Sequence, residues 1–265
     1  MPFQILPHLS DWMLAISLAM ARLFPCLIFV PIFSFHELKG VLRYAIVATL
    51  GLMVAPGIRF ALPDDHSWVT LAGLYAKEAM LGLLLGAVLA IPFWLFESVG
   101  ALFDNQRGAL MGGQLNPSLG SDFTPLGFLF KQSLIMITVT TGSFAELMQI
   151  IWDSYLLWPP TQWLPIVSSS GYDAYLQLLA SAFQHLVLYA APLVGLLLFI
   201  EFGLAILSLY SPQLQVFILS MPIKCLVGLF FIILYMPNLF HFMATSALSW
   251  SSIAHSITLF FEPIR

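Results

Sequence analysis

The sequence predicts an all-α fold built of integral membrane-type helical hairpins with kinked helices. Three observations predict it. Of 265 residues, 60% are hydrophobic and only 8% charged, against roughly 25% charged in soluble domains; the mean hydropathy is +0.94. So apolar a chain cannot cover itself with polar surface and needs lipid or partner protein around it. Second, uncharged or nearly uncharged runs recur along the chain, separated by short polar or proline-rich links, and helices that satisfy their own backbone are the simplest way to place such runs in lipid. Third, proline sits inside or beside nearly every run, at Pro25, Pro31, Pro56, Pro92, Pro192, Pro212, Pro222 and Pro237. Each proline removes an N–H and crowds the preceding turn. The freed carbonyls are tolerated only where protein or a water-filled cavity satisfies them, so the helices are expected to kink and to be enclosed by other chains.

The elements follow in order, within one expected membrane domain spanning residues 1–265. No Lys or Arg precedes the first run and Asp11 does, so the N-terminus reads as a retained helix rather than a signal peptide. That run, Trp12 to Phe33, is interrupted by Arg22, Pro25 and Pro31. A link with Glu37 and Lys39 leads to the second run, Tyr44 to Ile58, and Pro63-Asp64-Asp65 marks the next turn. The third run, Ala79 to Phe96, is bracketed by Glu78 and Glu97. At 1.5 Å per residue these lie roughly 28 Å apart, so they read as markers of the two membrane interfaces. Within it Gly82, Gly86 and Ala90 form a small-residue face that lets another helix approach closely.

Glu97 to Phe123 is a polar, glycine-rich insert. It carries Glu97, Asp104, Arg107 and Asp122, with glycines at 100, 108, 112, 113 and 120. Asp104 and Arg107, three residues apart at a helix end, could pair and fix the base of a loop, and the glycines free the backbone beyond it. The fourth run extends from Phe128 to Ile151. The link after it, Trp152 to Tyr172, combines tryptophans and prolines and reads as an interfacial aromatic belt. The fifth run is Ala174 to Ile200; the sixth, Leu214 to Tyr235, contains Pro222 and Lys224. In the tail, Phe240 to Phe261, serines 246, 249, 252 and 256 recur at helical spacing. The stripe reads as an amphipathic helix facing protein; a membrane-surface helix would normally carry Lys or Arg, absent here before Arg265. Lys and Arg flanking the first and third links lean those links toward the cytoplasm.

Arg22, Glu201 and Lys224 lie deep in apolar runs, each at a cost of about 2.5–3.5 kcal/mol on insertion scales. Ser211-Pro212-Gln213 between the latter two reads as a hairpin tip, which puts Glu201 and Lys224 at nearly equal depth. They are expected to pair, or else each to meet a different subunit.

Several function classes lack support. Net charge is −4 with no basic run, so nucleic-acid binding has no electrostatic footprint. Cys26 and Cys225 sit in apolar runs as packing residues, and the six histidines lack ligand spacing, so neither metal nor cofactor is expected. No catalytic signature is present: His36-Glu37 lacks the second histidine of a zinc-protease helix, and Asn116-Pro117-Ser118 reads as a turn. No catalytic residue is assigned.

The segment Gly100-Ala-Leu-Phe-Asp104-Asn-Gln106-Arg107-Gly108 resembles the export-apparatus family that includes flagellar FliR and injectisome SctT. Ala21-Arg22-Leu-Phe-Pro25, Lys77-Glu78 leading to Gly82 and Gly86, Glu201-x-Gly203, Ser211-Pro212-Gln213-Leu-Gln215 and Met221-Pro222-Ile-Lys224 agree in order and spacing. Gln215 departs from the family's frequent Asn, and Arg107 after Gln106 leans toward the injectisome branch. The resemblance implies a subunit of the type III secretion export gate in the bacterial inner membrane. Its implied partners are FliP/SctR-type, FliQ/SctS-type and FlhB/SctU-type proteins, exported unfolded proteins and membrane lipid. It further implies a pore plug from Gly108 to about Asp122, including Met111, Gly112, Gly113, Gln114, Asn116, Pro117, Ser118 and Gly120, on an anchor of Asp104, Gln106 and Arg107. A small-solute transporter with a midplane site on Glu201 and Lys224, or a structural membrane scaffold, are the rival readings.

Overall fold

A computed structural model describes residues 5–33, 40–60, 67–108, 124–162, 169–210 and 216–248, with 250, 253, 254 and 257. The plug positions Met111 to Gly120, the hairpin tip with Pro212 and Gln213, and tail residues Ser249, Ser252 and Ser256 lie outside them. The described residues are helical, with no strand among them. In chain order they form α1 (Ile5–Phe29) with a 3₁₀ turn (Pro31–Phe33), α2 (Val41–Arg59), α3 (Trp68–Gln106), α4 (Pro125–Thr140), α5 (Ser143–Leu157), α6 (Ser169–Tyr210) and α7 (Val216–Leu248). Five of these helices, α1, α2, α3, α6 and α7, are long and apolar enough to cross a membrane, and the broken pair α4–α5 would make a sixth span.

The boundaries differ from the sequence expectation in three places. First, α3 has 39 residues and takes in the opening of the polar insert as far as Gln106. Burial of Val99, Phe103 and Asp104 on its inner face continues the helix past the last uncharged run. Second, the fourth apolar run is two helices, not one. Thr140 and Thr141 turn their hydroxyls onto the carbonyls of Met136 and Ile137 at 2.9 and 2.8 Å. Gly142 follows at φ +80, left-handed backbone that glycine adopts without a Cβ clash. Third, the sixth run and the start of the tail are one helix, α7, which continues through both Pro222 and Pro237. Pro25, Pro56, Pro92 and Pro192 likewise lie inside helices without ending them.

The chain divides into two compact units. The first comprises Met1–Ile91, Gly142–Leu178 and Ser249–Arg265; the second comprises Pro92–Thr141 and Leu179–Leu248. In the first unit α1 and α2 pack as neighbours, with Phe24 stacked on Tyr44 at 5.5 Å. Its core holds Ala15, Leu18, Ala19, Leu23 and Cys26. The small-residue face of α3 meets α1: a Cβ at Gly86 would stand 2.6 Å from the Cys26 carbonyl oxygen, and one at Gly82 would run into that of Arg22. Ala90, next on that face, is fully buried. From the tail, Trp250, Ile253 and Ile257 are buried, so its apolar positions pack on protein. In the second unit Phe93, Phe96, Phe103, Phe130 and Leu193 fill the core. Phe96, Tyr189 and Phe242 stack in a row, at 5.6 and 4.7 Å, joining α3, α6 and α7.

Candidate functional site

In the second unit the chain leaves α3 at Gly108 and rejoins helix at Thr124, and the residues on either side close this gap as a neck. The amide N–H of Arg107 donates to the Phe103 carbonyl at 3.1 Å and that of Gly108 to Asn105 at 3.2 Å, ending the helix. Gly108 has φ +84. A Cβ there would find only ordinary contacts with Met221, so the backbone conformation, not space, calls for glycine. On the returning side Thr124 is extended and Pro125 opens α4, where a missing N–H costs nothing. The next amide, Leu126 N–H, donates to Asp104 Oδ2 at 2.8 Å. The other oxygen, Oδ1, pairs with the Arg107 guanidinium, Nη2 at 2.7 Å and Nε at 2.9 Å. Asp104 is fully buried, and its charge at the start of α4 also complements the helix dipole.

The neck extends downward. Gly100 and Gly127 touch backbone to backbone: a Cβ on Gly100 would come within 2.6 Å of the Gly127 amide nitrogen. Beyond them Lys131 Nζ meets Glu97 Oε1 at 2.6 Å. Helix α7 backs the same turn. The Cys225 thiol donates to the Arg107 carbonyl at 3.5 Å, and Gly228 makes room for the Phe103 ring. One residue before Cys225, Lys224 pairs with Glu201 of α6 at 3.0 Å, which offsets the burial of the ammonium. Gln106 is exposed and outside this pairing, and Pro222 is exposed within α7.

A separate polar cluster occupies the first unit. Arg22 donates through Nε and Nη2 to the two oxygens of Glu78 at 2.7 and 3.1 Å. Its remaining N–H groups reach the Ser154 carbonyl at 2.7 Å and the Trp158 carbonyl at 2.9 Å. The Tyr155 ring lies 4.3 Å from the guanidinium carbon. Lys77 also meets Glu78 at 2.9 Å and donates to the carbonyls of Pro160 and Gln162 at 2.8 and 2.6 Å. Two expectations are thereby corrected. Glu78 is no interface marker but a fully buried partner of Arg22, because a guanidinium that deep needs a bidentate acceptor. Trp158 and Tyr155 of the supposed aromatic belt are buried against this cluster.

Sequence reasoning found Asp104, Arg107, Glu201 and Lys224 through charge spacing. It missed the Glu97–Lys131 pair, Gly127 opposite Gly100, and the Leu126 N–H, which carries no side-chain signal at all. Met111, Gly112, Gly113, Gln114, Asn116, Pro117, Ser118 and Gly120 lie in the part of the chain outside the described residues.

Long apolar helices whose deep charges are matched inside the chain define a multi-pass helical membrane protein. Residues 13–249 match the family described as bacterial export proteins, family 1, and the chain belongs to that family. It is similar to the Yop proteins translocation protein T of Yersinia pestis, with 38% identity over 84% of this chain and 86% of the relative. It is also similar to the surface presentation of antigens protein SpaR of Salmonella typhimurium, at 27% over 88% and 90%. Flagellar biosynthetic protein FliR of Bacillus subtilis is 23% identical over 85% and 87%.

Proposed function

We propose that this chain is a core subunit of a type III protein-secretion export gate in the bacterial inner membrane, where it helps line and plug a conduit for unfolded proteins. The observation that carries the reading is the likeness to a translocation protein along most of both chains. The higher identity to that relative than to the flagellar protein favours the injectisome branch. The partners are export-apparatus subunits of the FliP/SctR, FliQ/SctS and FlhB/SctU types, the exported polypeptides, and lipid; nucleic acid is not among them. The chain acts by gating, without a catalytic site or cofactor, on energy supplied elsewhere.

Within that role the segment from Gly108 to about Asp122 is the plug and the neck is its mount. Asp104 ties both ends of the segment to one carboxylate, so the middle can be displaced while the base stays fixed. In an assembled gate, deletion of residues 109–121 raises ion leakage across the membrane while subunit assembly persists. Unchanged leakage in a complex shown to be intact would remove the plug assignment. Loss of secretion on deleting the chain, restored by the full-length protein, tests the wider role.

A further inference from the structure

The Glu201–Lys224 pair is lopsided. Its lysine side chain is 10% exposed and its glutamate side chain 55%. Lys224 Nζ meets Glu201 Oε2, and among the described residues no group is bonded to the other oxygen. Glu201 also stands on the barest stretch of the second unit. From Leu198 to Tyr210 no side chain of α6 is buried, and Phe199, Phe202, Leu209 and Tyr210 are 66–83% exposed. Glu201 lies nine residues before the end of α6, roughly 14 Å at 1.5 Å per residue. Lipid tails suit those phenylalanines, but hydrocarbon offers no donor to an open carboxylate at that depth.

We propose that this face of α6 docks against an apolar helix of another export-apparatus subunit that carries an Arg or Lys level with Glu201; this rests on the export-gate reading above. Charge complementarity selects the occupant. A second copy of this chain is poorly equipped, because among the described residues its cations are engaged: Arg22 and Lys77 with Glu78, Arg107 with Asp104, and Lys131 with Glu97. Arg43 is buried, Arg59 lies over Trp12 at 5.0 Å, and Lys224 is spent on Glu201 itself. A partner's cation would bind the free side of the carboxylate while Lys224 keeps the other, a shared geometry that fixes register between helices.

The test uses the tagged full-length chain co-expressed with the other export-apparatus subunits, extracted in detergent, with retained subunits quantified by mass spectrometry. Glu201→Gln and Glu201→Lys are each expected to lower retention about tenfold or more, the scale of a charge pair truncated at an interface. The double variant Glu201→Lys with Lys224→Glu rebuilds the internal pair in reverse. It is expected to restore the level of chain in the membrane but not retention. A basic-to-acidic change in the partner helix then restores retention to the double variant. Recovery of retention in the double variant alone would overturn the inference, since the glutamate would then serve only its own hairpin. Full retention in Glu201→Gln, or homodimers cross-linked through this face, would overturn it as well. A wild-type chain retaining no subunit would overturn the export-gate reading and this inference with it; a wild type and a Glu201→Lys variant retaining them equally would overturn this inference alone.

Discussion

The two units solve the same problem, a charge inside an apolar helix, in different ways. In the first, Arg22, Lys77 and Glu78 are sealed together, with the arginine fork aimed at a carboxylate, two backbone carbonyls and the Ser154 hydroxyl. The cluster joins α1 and α3 to the end of α5 and the carbonyls that follow it, so it acts as a lock. In the second, charges are used in pairs at points where something begins or ends. Asp104–Arg107 stands where α3 stops and α4 starts, and Glu201–Lys224 stands half open on a bare helix face. A sealed network holds parts still; small pairs at edges leave room for a segment or a neighbour to change.

The comparison can be broken most severely at the lock. Arg22→Met leaves Glu78 buried with Lys77 as its remaining partner, and Glu78→Gln leaves the guanidinium without its bidentate acceptor. Each is expected to cost about 3–5 kcal/mol, the scale of breaking a buried pair from one side, and to be seen as protease-sensitive protein with a lowered thermal midpoint in detergent. A stability loss much smaller than this would mean that water reaches the cluster. At the neck, Asp104→Asn keeps an acceptor for the Leu126 N–H but loses the charge on Arg107. The expected loss is about 1.5–3 kcal/mol, typical of a hydrogen bond to a charged group, accompanied by greater proteolysis between 109 and 123 than elsewhere. A global rather than local rise in cleavage would make the neck a lock like the first. Gly108→Ala forces a Cβ into left-handed backbone at about 1–2 kcal/mol without a steric clash, so ion leakage is expected to rise more than overall stability falls. The smallest effect belongs to Glu97→Gln. That pair is partly exposed and should change stability by no more than about 1 kcal/mol, measured by the same thermal midpoint.

Much of this was legible in the sequence. Charges are so few that each had to be explained; spacing brought Asp104 to Arg107 and put Glu201 level with Lys224, leaving open whether those two pair or each meets a different subunit. The small-residue face at Gly82 and Gly86 was equally plain, since close helix approach needs the absence of side chains. Helix ends were not legible. Membrane-type helices are apolar on all sides, so a hydropathy run shows where the oily part lies and not where the backbone stops coiling. Thus α3 outran its apolar core by ten residues, and the fourth run concealed a break at Gly142.

By itself the sequence determined that this is a helical membrane protein, which family it resembles, and that Arg22, Glu201 and Lys224 lie deep in apolar runs, because composition and short-range spacing are properties of the chain alone. Tertiary structure alone decided that Arg22 closes on Glu78, 56 positions away, that Gly100 finds Gly127, and that one carboxylate of Asp104 secures both ends of a segment. The reason is physical: the partner of a buried charge is set by which helices pack together, and packing among uniformly apolar helices leaves almost no periodic trace to read.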